Sequence, residues 1–148
     1  MKAVILAGGK GTRLAPYTHI LPKPMMPVGD RAILEVILGQ MSRAGISEVT
    51  LAIGHLASLM QTFFGDGSRF NLKISYAFEE KPLGTAGPLA LVEGLTETFL
   101  VANGDILTLL DINKLIAFHK EQKAVCTIAS HQRTHQINLG VIDRKSVV

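Results

Sequence analysis

Gly8, Gly9 and Gly11 follow a short apolar run, with Lys10 among them and Arg13 two residues on. Lys23 comes later in the same loop, held between Pro22 and Pro24. Glycines at this spacing let consecutive backbone N–H groups turn toward an anion with no Cβ in the way. Arg13 adds a planar donor fork that fits phosphate oxygens. Lys23 is a point charge on stiffened backbone, so little entropy is lost when it meets a ligand. A polyphosphate is the chemistry this set suits. A glycine-rich surface turn with solvated cations is the plain alternative. Two common phosphate motifs are absent: Lys10 is followed by Gly11 where a P-loop needs Ser or Thr, and Leu14 stands where a dinucleotide fingerprint needs its last glycine.

Two further stretches hold polar residues at strand ends. In FEEKPLGTAG, residues 78–87, Pro82 and Gly84 make a tight loop that a flat ring could approach closely. Glu79 and Glu80 are equally readable as a solvated strand end. In VANGD, residues 101–105, Asp105 closes an apolar run, where an Asp after Gly is also an ordinary turn residue. Asp111 reads as a helix N-cap. The five histidines, at 19, 55, 119, 131 and 135, have no metal-ligand spacing and no chemistry is assigned to them. Ser58, Ser130 and Cys126 lack the company of a nucleophile.

Positioning such loops requires a scaffold, and the chain alternates between strand and helix patterns. Lys2–Leu6, EVTLAIG, LKISYAF and TFLVANGD read as strands, and AVCTIAS and NLGVID as two more. DRAILEVILGQMSRAG reads as a helix capped by Asp30 and stopped by Gly45; LASLMQTFF, TAGPLALVEGL and DINKLIAFHKEQK read as further helices. Pro88 is tolerable only near a helix's first turn. This order predicts an α/β fold with a mostly parallel sheet covered on both faces. Ligands in such sheets bind beyond the carboxyl ends of the strands, which selects residues 8–13, 54–57, 79–87 and 103–105. The second of these carries no evident chemistry.

Composition narrows the classes further. The chain has 148 residues, 47% of them hydrophobic and 18% charged, which excludes disorder and suits one domain. A net charge of +3 with no Lys/Arg run gives no nucleic-acid surface. No stretch approaches the roughly 18 apolar residues of a membrane helix, and the short N-terminal apolar run is too short for the apolar core expected of a signal peptide. Cys126 is the single cysteine, read as a buried structural thiol. A cytoplasmic setting is the expectation, and the oligomeric state, a homo-oligomer included, is left open.

The stretch LAGGKGTRLAPYTHILPKPMMPVGDRAILE resembles the signature of the sugar-1-phosphate nucleotidyltransferases, roughly G-G-x-G-T-R-L followed by P-K-P. EEKPLGTAGPLAL and VANGD match the same family in order, and PLGTAGPL is closest in wording to the mannose-1-phosphate guanylyltransferases. The likeness runs from Met1 to Val141. It implies a Rossmann-like three-layer α/β/α sandwich, GT-A-like, with a mostly parallel mixed sheet. It also implies transfer of a nucleoside monophosphate from a nucleoside triphosphate to a sugar 1-phosphate, with pyrophosphate leaving. Leu6, Ala7, Gly8, Gly9, Gly11 and Thr12 are then expected to cradle the triphosphate, with Arg13 and Lys23 catalytic. Glu79, Pro82, Gly84 and Thr85 are expected to hold the base, and Asp105 to ligate Mg²⁺. Glu79 stands where uridylyl- and thymidylyltransferases commonly carry glutamine. A carboxylate only accepts hydrogen bonds, so it suits the adjacent N1–H and N2–H₂ donors of guanine and favours GTP. Family members are longer, and their later half supplies a glutamate–lysine segment and a second metal-binding aspartate. Residues 1–148 are therefore expected to be the nucleotide-binding part of one such domain. A non-catalytic nucleotide-binding module and a cytidylyltransferase acting on a non-sugar alcohol phosphate are the competing readings.

Overall fold

Lys2–Leu6 forms β1, and its three middle residues are buried. Such a strand needs partners on both edges, and it has them. In the computed structural model, which describes residues 1–81 and 83–134, β4 (Glu48–Ile53) pairs on one side and β6 (Leu100–Asn103) on the other. β5 (Lys73–Phe78) pairs outside β4, giving the order β5-β4-β1-β6, with every pairing parallel. The register puts Ala3 between Val49 and Leu100, and Ile5 between Leu51 and Ala102. This is the expected Rossmann-like α/β arrangement. The strand order turns back between β1 and β6, and that switch point is where a crevice opens.

One face of the sheet carries Ala3, Ile5, Val49, Leu51, Ile53 and Ile74, all buried. Against it pack α1 (Ile33–Arg43) and α2 (Ala57–Phe64), through Leu34, Ile37, Leu38 and Met41 from α1 and Met60 and Phe64 from α2. The α1 residues recur at i, i+3, i+4 and i+7, the spacing of a single helix stripe. Removing each such side chain from water stabilises the fold by about 1.5–3 kcal/mol. Gly45 ends α1 as expected, at φ +78°. Ile46 N–H bonds to Met41 O and Gly45 N–H to Ser42 O, which satisfies two of the last carbonyls.

The start of α1 differs from expectation. Asp30 is not its cap. It sits at the turn between two short antiparallel strands, β2 (Pro27–Val28) and β3 (Arg31–Ala32), so the chain is still extended at residue 32. The Ala32 N–H is satisfied instead by the Glu35 carboxylate at 2.9 Å.

On the opposite face Val4, Ala52 and Ala77 are buried. Among the described residues the element set against β4 and β5 from outside the sheet's helical face is a 3₁₀ turn over Gly87–Leu91, in place of the expected α-helix. Gly87, Pro88 and Gly94 explain the change, since each disfavours continuous α-helix and Pro88 has no N–H to give. The chain settles for i→i+3 bonds, Leu89 N–H to Ala86 O and Val92 N–H to Leu89 O.

The last described helix, α3 (Ile112–Gln122), opens on Asp111, whose carboxylate accepts from Lys114 N–H at 3.1 Å. The run at 124–130 is not a strand. Among the described residues nothing pairs with it, Val125 and Ile128 are exposed, and Cys126 is an exposed free thiol rather than a buried one. A strand needs a ladder partner and a face to cover, and among the described residues this run has neither. The strand expected at 138–143 lies outside the described residues. No described helix is long and apolar enough to cross a membrane.

Candidate functional site

β1 does not stop at Leu6: Ala7 N–H still bonds to Ala52 O, and Gly104 N–H bonds to Leu6 O. The chain leaves the sheet at Gly8. Beyond the carboxyl ends of β1 and β6 lies a cleft of about 280 Å³. Leu6, Ala7, Gly9, Gly11, Thr12 and Arg13 line one side, Lys23 and Pro24 another, and Asn103 with Asp105 the β6 end. Eight of the residues singled out in the sequence thus meet at the switch point: Leu6, Ala7, Gly9, Gly11, Thr12, Arg13, Lys23 and Asp105.

Lys23 and Asp105 are bonded directly, Nζ to Oδ2. Both side chains keep part of their surface, 39% and 29% exposed, so the pair can exchange partners with a ligand. Arg13 stands in a 3₁₀ turn over Thr12–Leu14 that follows Gly11, a residue in the left-handed region at φ +60°. That conformation is easy for glycine and costly for a residue with a Cβ. The turn places Arg13 against the cleft while leaving it exposed, in no ion pair among the described residues.

Gly8 faces away from this cleft, toward the loop after β5. A Cβ on Gly8 would fall 2.4 Å from Glu79 Oε2, and one on Gly54 would fall 3.2 Å from Gly8 O. The ends of β1, β4 and β5 therefore converge on Gly8, Gly54 and Glu79. Glu79 folds back on its own loop, with Oε1 accepting the Leu83 N–H. Gly84 (φ +80°) and Thr85 are in the exposed turn that follows. These three do not line the cleft, and Pro82 lies outside the described residues.

Sequence reading passed over several contributors. Asn103 lines the cleft as the last residue of β6, a place that strand-end logic already marked. The 54–57 segment, set aside for lack of chemistry, supplies Gly54 at the convergence and His55, whose Nε2 meets Thr18 O at 2.9 Å. Nothing in the sequence marks Thr18, which is buried. Among the described residues no three His, Cys, Asp or Glu side chains cluster as a metal site. Among the described residues two titrations are shifted, at Asp66 in the α2–β5 connection and at Tyr76 in β5. The Ser68 backbone N–H holds Asp66 below the usual carboxylate range, and burial, helped by the Asp66 charge, pushes the Tyr76 hydroxyl up.

The family model described as nucleotidyl transferase matches residues 2–147. A mannose-1-phosphate guanylyltransferase of Mycobacterium tuberculosis is 42% identical over 128 residues, 85% of this chain and 36% of that protein. A UTP–glucose-1-phosphate uridylyltransferase of Synechocystis is 38% identical over 141 residues, 86% of this chain and 36% of its own length. Among solved structures, HddC from Yersinia pseudotuberculosis complexed with GMP-PN superposes with a TM-score of 0.68 at 30% identity. That superposition covers 80% of this chain and 53% of the other. The chain spans little more than a third of the length of those two curated relatives.

Proposed function

We propose that this chain, which belongs to the nucleotidyl transferase family, is the nucleotide-binding part of an enzyme that moves a nucleoside monophosphate from GTP onto a sugar 1-phosphate. The observation that carries this reading is the meeting of Arg13, Lys23 and Asp105 with the Gly9–Thr12 loop in one cleft at the β1/β6 switch point. Binding alone needs fewer fixed charges. Transfer needs them, because a sugar phosphate oxygen attacks the α-phosphorus in line and pyrophosphate departs with its charge.

The residues divide the work as follows. Backbone amides of the Gly9–Thr12 loop cradle the triphosphate. Arg13, fixed by the turn over Thr12–Leu14, stabilises the departing pyrophosphate. Lys23 holds the α-phosphate after giving up Asp105. Positioning and charge neutralisation suffice, with no covalent nucleophile. Asp105 suits Mg²⁺, which typically takes one or two protein carboxylates and completes its shell with phosphate oxygens and water. Bound there, the ion would neutralise phosphate charge beside Asp105.

Glu79 supports a guanine base. Its bond to Leu83 N–H uses only part of the acceptor capacity of a carboxylate, so adjacent donors on a base edge remain acceptable to it. A thermal-shift panel of ATP, CTP, GTP, UTP and dTTP with Mg²⁺ tests both levels. GTP is expected to raise the melting point most, a ligand at 100 times its Kd adding about 2.7 kcal/mol. A preference for UTP or dTTP removes Glu79 as the base reader. No shift with any triphosphate removes the reading altogether.

A further inference from the structure

Thr18 is the one buried polar side chain among the described residues, at 3% exposure. Both of its oxygens are engaged. Oγ1 donates to Gly11 O at 3.0 Å, and Cγ2 lies 2.8 Å from where a Gly11 Cβ would stand. The Thr18 carbonyl accepts from His55 Nε2 at 2.9 Å. A carbonyl only accepts, so that ring nitrogen carries hydrogen. Leu56, next to His55, is held at φ 55° and ψ 36°, a left-handed conformation that a bulky side chain disfavours. The turn out of β4 thus carries backbone strain beside the residue that reaches Thr18.

Gly11 O has a second donor, Leu14 N–H at 2.9 Å. The peptide joining Gly11 to Thr12 is planar, with its C=O and N–H on opposite edges. Pinning the carbonyl with two donors therefore fixes the direction of Thr12 N–H. Glycine at position 11 makes rotation of that peptide cheap, and a rotated peptide would offer phosphate an oxygen in place of a donor.

We propose that Thr18 and His55 are positioning residues for the polyphosphate loop: Thr18 locks the Gly11–Thr12 peptide and His55 ties Thr18 to the end of β4. Neither touches the ligand. The inference rests on the reading above, that the cleft takes a nucleoside triphosphate.

Calorimetric titration with GTP and guanosine, and in parallel with UTP and uridine, isolates the phosphate-dependent part of binding. Thr18→Val keeps the branched shape and loses the donor. It is expected to weaken triphosphate affinity about tenfold, the scale of one net hydrogen bond, and to leave nucleoside affinity unchanged. Thr18→Ser, which keeps Oγ1, should restore the affinity. His55→Leu should weaken triphosphate binding and His55→Gln, which keeps a donor, should recover it, so the inference stays testable if Thr18→Val does not fold. Equal triphosphate affinity in wild type, Thr18→Val and His55→Leu overturns the inference and leaves the proposed function standing. Equal weakening of triphosphate and nucleoside, with a lowered Tm, also overturns it, since that is what general loosening does. A wild-type protein that binds neither triphosphate sinks the underlying reading, and this inference with it.

Discussion

Lys23 and Asp105 are 82 residues apart in the chain, yet each is the other's counter-ion at the cleft. Their proposed duties require them to separate, Lys23 toward a phosphate and Asp105 toward a cation. A half-exposed pair of this kind is worth up to about 1 kcal/mol, which a phosphate with its cation readily outcompetes. The exchange has a measurable consequence. Mn²⁺ binding in the absence of nucleotide, followed by electron paramagnetic resonance, should tighten up to about fivefold in Lys23→Met and disappear in Asp105→Asn. Undiminished binding in Asp105→Asn would remove that carboxylate from the metal's shell. Arg13, Lys23 and Asp105 were all legible as residues, because a strand end, a glycine loop and a proline-flanked cation leave marks in the sequence. Thr18 was not. Its importance lies in being buried against Gly11, and burial of a lone threonine has no local signature.

At the scale of elements, three strand ends share one small space. A Cβ on Gly8 would fall 2.4 Å from Glu79 Oε2, the far end of a flexible side chain, so a methyl there displaces the carboxylate rather than backbone. Gly8→Ala should therefore push Glu79 off Leu83 N–H and destabilise the fold by about 1 kcal/mol in urea unfolding, the scale of the displaced hydrogen bond. Glu79→Ala combined with it should recover part of the loss, with a coupling of at least about 0.5 kcal/mol. Strictly additive effects would mean the two do not compete for that space. Strands β1, β4, β5 and β6 and the three α-helices followed from periodicity, and β1, β4, α1 and α2 each bury a continuous stripe or core segment. Misreadings fell where local signals competed. Asp30 had the chemistry of a cap, but hairpin pairing of Arg31 and Ala32 with Val28 and Pro27 delayed the helix. The apolar segment around Pro88 had helix-like content but too many breakers for i→i+4 bonding.

Across the whole molecule the described fold has one well-sealed face and one thin one. Exposed apolar residues gather after β6 and through α3 and beyond, among them Leu109, Phe118, Val125 and Ile128. Cys126 lies in that stretch and should react with Ellman's reagent in the folded 148-residue chain nearly as fast as in denaturant. Protection of the thiol would show that the segment packs after all. The sequence by itself determined the four strands of the parallel sheet and the three α-helices, the family, and Gly9, Gly11, Thr12, Arg13, Lys23 and Asp105 as residues that reach the cleft. These follow from local physics: apolar periodicity, turn chemistry and the backbone freedom of glycine act within a few residues of one another. Only the tertiary structure decided that Lys23 pairs with Asp105, that Glu79 clasps its own loop beside Gly8, and that Thr18 and His55 brace Gly11. The Lys23–Asp105, Gly8–Glu79 and His55–Thr18 contacts join segments brought together by strand order, and their geometry depends on how closely packed backbones approach, which no short stretch of sequence records.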